Sequence, residues 1–200
     1  MKKLLSLALL STLICFSVQA EEGLYSNGGI TKCGRDETLI CDLYGNLLDG
    51  VVKIYRGDGT LYKETPYKNG QIVGVEKEYS VDGTLYLEIP YKNDQVDGVV
   101  KYYYENGTLW HETPYKNGQI DGVEKEYRED GTLWYEIPYK NGQKDGVEKL
   151  YIEDGILWYE TPYKNGQKDG VEKLYIEDGT TLDKEIHYDK NGEIIKEVKY

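Results

Sequence analysis

The chain has 200 residues, 39% hydrophobic and 30% charged, with 24 Lys and Arg against 36 Asp and Glu and a formal net charge of −12. An acidic chain repels phosphate backbones and anionic headgroups, which argues against binding nucleic acid or anionic membranes. Its apolar side chains include 21 Tyr but one Phe and one Met, a composition suited to half-exposed sheet surfaces rather than a thick aliphatic core.

Residues 1–20, MKKLLSLALLSTLICFSVQA, combine Lys2 and Lys3 with an apolar run from Leu4 to Phe16 and small residues at Val18 and Ala20. That is the pattern of a secretory signal peptide, and the run is short for a membrane span. Cys15 follows Ile14, where a lipoprotein signal wants a small residue. Cleavage is expected after Ala20, leaving a soluble protein exported to the periplasm, the cell surface or the medium; the alternative is an uncleaved anchor. Loss of Lys2 and Lys3 takes the net charge from −12 to −14.

Residues 21–48 keep fragments of the pattern that follows and hold Cys33 and Cys41. In an oxidising compartment such a pair reads as a disulfide stapling an N-terminal cap. A metal site lacks partners, because His111 and His187 are far away in sequence.

From residue 49 to 179 the chain repeats every 24 residues, with units opening at Asp49, Val73, Asp97, Asp121, Asp145 and Asp169. Residues 138–155 and 162–179 are identical, PYKNGQKDGVEKLYIEDG. Each unit holds an Asp-Gly or Asn-Gly turn, as at Asp130-Gly131, and a second turn, as at Asn141-Gly142, with Asn93-Asp94 as the exception. Both dipeptides suit tight hairpins. The expected fold is all-β: an elongated single-layer antiparallel meander of tandem β-hairpin repeats. A two-residue turn at Asp130-Gly131 sets Tyr127 against Trp134, Lys125 against Glu136 and Val123 against Pro138, all on one face. Such aromatic and charge pairs contribute about 0.2–1 kcal/mol each. The other face carries Leu133, Tyr135, Ile137 and Tyr139, and the Tyr135 position varies between units (Lys63, Leu87, His111, Tyr159).

Two tight turns close a unit in two residues fewer than the period. The excess is either a bulge at the opening Asp-Gly, opposite the prolines at 66, 90, 114, 138 and 162, or a stagger of two residues per unit. Residues 180–200 form a degenerate repeat that caps the end.

Units of the form G-x-x-x-x-Y-x-x-(D/N)-G-T-L-x-x-E-x-x-Y-K-N-G, in tandem over about residues 43–193, resemble the bacterial variant of the MORN repeat, found in proteins often labelled YwqK-family antitoxins. The resemblance implies β-hairpins strung into an elongated sheet that serves as an interaction scaffold without catalysis. The label implies an antitoxin-like immunity role against a cytoplasmic toxin, from which this sequence departs by its leader. Eukaryotic MORN proteins are associated with phospholipids, a role the acidic charge opposes.

No nucleophile–base pair, phosphate loop or H-E-x-x-H occurs, and no D-x-D-x-D spacing suggests calcium. The reading is therefore a non-enzyme with no cofactor and no metal. The candidate binding ladder is Tyr103, Trp110, Tyr127, Trp134, Tyr151 and Trp158, a row of rings that could grip a protein or stack on the sugars of a glycan. The alternative is that these rings only cover their neighbours. A protein partner is expected first and a glycan second.

Overall fold

The structure is a computed structural model that describes residues 24–25, 30–33, 39–42 and 44–200. The expected leader and part of the expected N-terminal cap lie outside the described residues, and Cys33 is described by its backbone alone.

One sheet carries the whole repeat array. Each of the first five units contributes a six-residue strand opening on glycine (Gly122–Tyr127), an eight-residue strand opening on leucine (Leu133–Lys140) and a two-residue strand after the second turn (Gln143–Lys144). The six-residue strand pairs with the eight-residue strand of its own unit and with that of the unit before it. The last strand is Ile194–Lys199. At the other end the short strand Leu24–Tyr25 joins Gly50–Tyr55 in parallel, a pairing the sequence did not suggest.

The register matches the expected one for Lys125↔Glu136 and Val123↔Pro138. It continues as Glu136↔Lys149 and Lys149↔Glu160, so residues 24 apart stand level across the sheet. The bulge is therefore present and the stagger is not. Between Tyr115↔Ile120 and Glu112↔Lys125, two residues oppose four, and the extra pair is absorbed at Asp121-Gly122. Asp121 N–H donates to the Pro114 carbonyl (3.0 Å), and the same bond recurs from Asp97 to Pro90 and from Asp145 to Pro138. A strand residue directs its N–H and C=O toward the same neighbour. The missing proline N–H thus falls on the side where the ladder is already interrupted, which explains how interior strands tolerate proline.

The two turns differ in kind. Asn141 (φ +49°) and Gly142 (φ +80°) both take positive φ, as a two-residue hairpin turn demands. The Asp-Gly turn is instead a three-residue loop: Arg128 N–H donates to Thr132 C=O (2.8 Å), and Gly131 N–H to Arg128 C=O (2.8 Å). Only the glycine is left-handed there (Gly131, φ +85°). The Asp130 carboxylate accepts from the Thr132 N–H (2.8 Å) and hydroxyl (2.7 Å). That holds the Asp130 carboxyl below its ordinary range. In the fifth unit Ile156 replaces the threonine, and Asp154 flips to φ +63°.

A second bulge follows. Glu126 faces Tyr135 but Tyr127 faces Leu133, so Trp134 is the extra residue. This corrects the expected Tyr127–Trp134 pair, and the same shift occurs in every hairpin from Tyr55↔Leu61 to Tyr175↔Leu182.

The buried side chains of the array, Val52, Thr65, Glu76, Leu87, Val100, Thr113, Ile137, Glu148 and Thr161, all belong to the face carrying Tyr135. A single-layer sheet has no second layer to cover them, so they cover one another. At the N-terminal end Leu48 is fully buried beside the disulfide-bonded Cys41. The expected Cys33–Cys41 pairing involves a side chain outside those described. Leu48 C=O accepts from Gly70 N–H (2.8 Å), continuing the bonds from Gly118 to Val96 and from Gly142 to Ile120. The cap thereby presents the same acceptor as a preceding unit.

Candidate interaction surface

The expected ladder separates into two rows. Tyr103, Tyr127 and Tyr151 stay on the Lys/Glu face, where their hydroxyls donate to Glu88 (2.8 Å), Glu112 (2.9 Å) and Glu136 (3.1 Å) of the unit before. Burial, reinforced by the acceptor carboxylate, pushes all three phenols up to about 12. Tyr79 and Tyr175 do the same with Glu64 (2.8 Å) and Glu160 (2.9 Å). These tyrosines tie successive units together.

The tryptophans lean the other way. At the bulge Trp110 packs edge-on against Tyr102, with centroids 6.0 Å apart at 72°. Tyr102 is itself stacked on His111 (5.8 Å, 17°) and meets Tyr86 edge-on (5.8 Å). Tyr102 and His111 belong to the face opposite Tyr103. Trp110, Trp134 and Trp158 keep 36%, 43% and 45% of their surface exposed, and Tyr62 and Tyr86 hold the same position in the first two units. The exposed row therefore runs Tyr62, Tyr86, Trp110, Trp134, Trp158 along the rim of Asp-Gly hairpin tips. Adjacent rings stand two strands apart, about 9.6 Å. The expected ladder left out Tyr62 and Tyr86 because it was drawn only through the units that carry tryptophan.

The variable position on the buried face follows a rule. Except at Tyr159, where Glu172 is held instead by Lys168 and Tyr188, each residue there is matched by the one thirteen positions later. Lys63 pairs with Glu76 (2.7 Å), His111 with Glu124 (3.8 Å) and Lys184 with Glu197 (2.7 Å). Burial, and then the neighbouring Glu148 carboxylate, raises the Tyr135 phenol pKa. Where the position is Leu87, the residue thirteen later is Val100, and both are buried. Charged or polar residues meet glutamate, and leucine meets valine. A buried glutamate without a partner would cost far more than any cross-strand pair contributes.

Among the described residues no group of three or more His, Cys, Asp or Glu side chains is placed to hold a metal ion, and no helix is long and apolar enough to cross a membrane.

No curated protein matches the chain. A crystal structure of TarM aligns with it at 12% identity and a TM-score of 0.33, covering 46% of this chain and 20% of that one. This chain thus spans about a fifth of that protein, and so loose a likeness carries no argument. The family described as MORN repeat variant matches residues 48–69, 72–93, 96–117, 120–141 and 144–165. These five tandem matches cover more than half of the chain, which belongs to the MORN repeat variant family.

Proposed function

We propose that the protein is an exported, non-enzymatic repeat scaffold that binds another protein along its elongated sheet. The observation that carries this reading is the row Tyr62, Tyr86, Trp110, Trp134 and Trp158, half-exposed along one rim. Tyrosine and tryptophan dominate the centres of protein interfaces, since each supplies large rigid area with little entropy to lose. Export rests on the leader-like residues 1–20 and suits a disulfide-bonded cysteine. An antitoxin-like role against a cytoplasmic toxin would place the partner in the opposite compartment. A photo-crosslinking residue at position 134 tests the reading in the native cell, with one at position 141 on the opposite rim as control. A protein adduct at 134 and not at 141 supports it; an adduct-free 134 sinks it.

The even pitch of Trp110, Trp134 and Trp158 favours a second reading, a glycan stacked along the three rings. It predicts polysaccharide retention that Trp134→Ala weakens while the circular-dichroism spectrum stays unchanged. A glycan array blank for the wild type removes it.

A further inference from the structure

Two equivalent grooves lie between hairpin tips at the two ends of the array. The first is lined by Arg56, Tyr62, Tyr79, Ser80, Val81 and Tyr86, among others. The last is lined by Ile152, Trp158, Tyr175, Ile176, Glu177 and Asp183. Each residue of the second is the repeat counterpart of one in the first, 96 positions on, or 97 for Asp183 after the inserted threonine.

The first groove shows what fits. The Arg56 guanidinium sits 5.0 Å from the centroid of the Tyr62 ring. Its Nη1 donates to the carbonyls of Leu61 (3.0 Å) and Ser80 (3.1 Å), and its Nη2 to that of Tyr79. Arg128 repeats two of these carbonyl bonds in the fourth unit, donating to Leu133 and Tyr151. Arginine suits such a place because its planar fork stacks on a ring and serves several acceptors at once.

In the last groove the arginine is replaced by Ile152, which has neither charge nor donor. Val81 and Tyr86 have become Glu177 and Asp183, and the ring has become Trp158, the strongest aromatic partner for a cation. The first groove holds its arginine among Glu78, Asp82 and Glu105, whereas the last keeps two carboxylates and no cation. Among the described residues neither the Glu177 nor the Asp183 side chain is in an ion pair or hydrogen bond. The neighbouring tip adds Glu153 and Asp154 beside Arg128, whose guanidinium is already bonded to the Leu133 and Tyr151 carbonyls.

We propose that the groove at Trp158 is a receptor site for an arginine side chain of a basic partner polypeptide. The incoming guanidinium stacks on Trp158 and donates to the carbonyl of Tyr175, as Arg56 does to that of Tyr79. Glu177 and Asp183 supply the opposite charge. The proposal rests on the reading of the chain as a protein-binding scaffold and specifies its partner's chemistry: basic, in keeping with a chain of net charge −12.

The test is fluorescence anisotropy of labelled peptides on the full chain, one alternating arginine and glycine and one alternating lysine and glycine, with a chito-oligosaccharide as competitor. Wild type is expected to bind the arginine peptide more tightly than the lysine peptide. Ile152→Arg fills the groove from within, as Arg56 fills its own, and is expected to weaken binding about tenfold or more, as is the pair Glu177→Gln with Asp183→Asn. Circular dichroism confirms that each variant is folded. Unchanged binding in both variants, equal binding of the lysine peptide, or displacement by the sugar overturns the proposal. Crosslinking at position 158 in the native cell separates the two failures. A protein captured equally by wild type and Ile152→Arg removes the arginine site alone, whereas no capture by either removes the scaffold reading with it.

Discussion

Lys63 Nζ lies 2.7 Å from Glu76 Oε1, thirteen residues further along the chain, and the same step joins Lys184 to Glu197 at 2.7 Å. Between them the rule runs through Leu87 and Val100, His111 and Glu124, Tyr135 and Glu148. Tyr159 departs from the rule, its Glu172 being held by Lys168 and Tyr188, and at the other units the column that looks most variable is constrained pairwise. Converting His111 and Glu124 together to leucine and valine, the natural combination at 87 and 100, should leave stability within about 1 kcal/mol of wild type. His111→Leu alone leaves half-buried Glu124 with the Thr113 hydroxyl (3.3 Å) as its remaining partner and should cost about 1–3 kcal/mol. Urea denaturation of the two single variants and the double variant measures the coupling, and additive losses would contradict the pairing rule.

That rule was open to a reader of the sequence, since comparing each unit with the next at a step of thirteen displays it. The Lys125–Glu136 and Val123–Pro138 register was legible because side chains alternate and the turn dipeptides fix where counting begins. Placing Trp134 was not. A bulge of one residue leaves no mark in composition, and it carries the tryptophan to the other face while its neighbours stay in register. The three-residue loop at Asp130 was missed for a related reason: Asp-Gly resembles Asn-Gly on paper, but Thr132 gives the aspartate a hydroxyl and an amide to hold. The groove at Trp158 needed the structure, because only the fold shows that Ile152 stands where Arg56 lies over its ring.

Five tyrosines bonded to glutamates of the preceding unit set an alkaline limit. Tyr79, Tyr103, Tyr127, Tyr151 and Tyr175 are each held up to about 12, mainly by burial and then by the acceptor carboxylate. An unfolded tyrosine ionises near its ordinary value of about 10. These groups favour the folded state below pH 10, and that contribution is lost as pH rises from about 10 to about 12. Tyrosinate absorbance and circular dichroism followed together should show ionisation of these residues coinciding with unfolding. Ionisation at pH 10 with the sheet intact would rule the ladder out.

Gly146 has φ +130°, and a Cβ there would lie 2.6 Å from Pro138 Cγ. Gly146→Ala therefore meets both backbone strain and a clash, and is expected to destabilise by about 2–4 kcal/mol. Gly142→Ala, at φ +80° with open space around it, should cost about 1–2 kcal/mol. The difference in urea midpoint between the two checks the bulge. Equal losses would mean that proline does not confine it.

The fifth unit offers a restoration. Asp154 has φ +63° where Ile156 takes the place of threonine, whereas Asp130 and Asp82 are held below the ordinary carboxylate range by Thr132 and Thr84. Ile156→Thr should give Asp154 the same two donors, return its φ to negative values and lower its carboxyl pKa. A side-chain pH titration by NMR reads the shift. A carboxyl that titrates as in wild type would show that threonine does not set this turn.

Residues 24 apart stand level because the Asp-Gly bulge absorbs the excess of each unit, and the even spacing of the exposed rings follows from that geometry. Residues 138–155 and 162–179 are identical, so deleting residues 146–169 removes one unit and rejoins the chain without a new sequence junction. Small-angle scattering should show a folded protein whose largest dimension is shorter by two strand spacings, about 9.6 Å. An unchanged dimension, or a deletion variant that no longer folds, would contradict it.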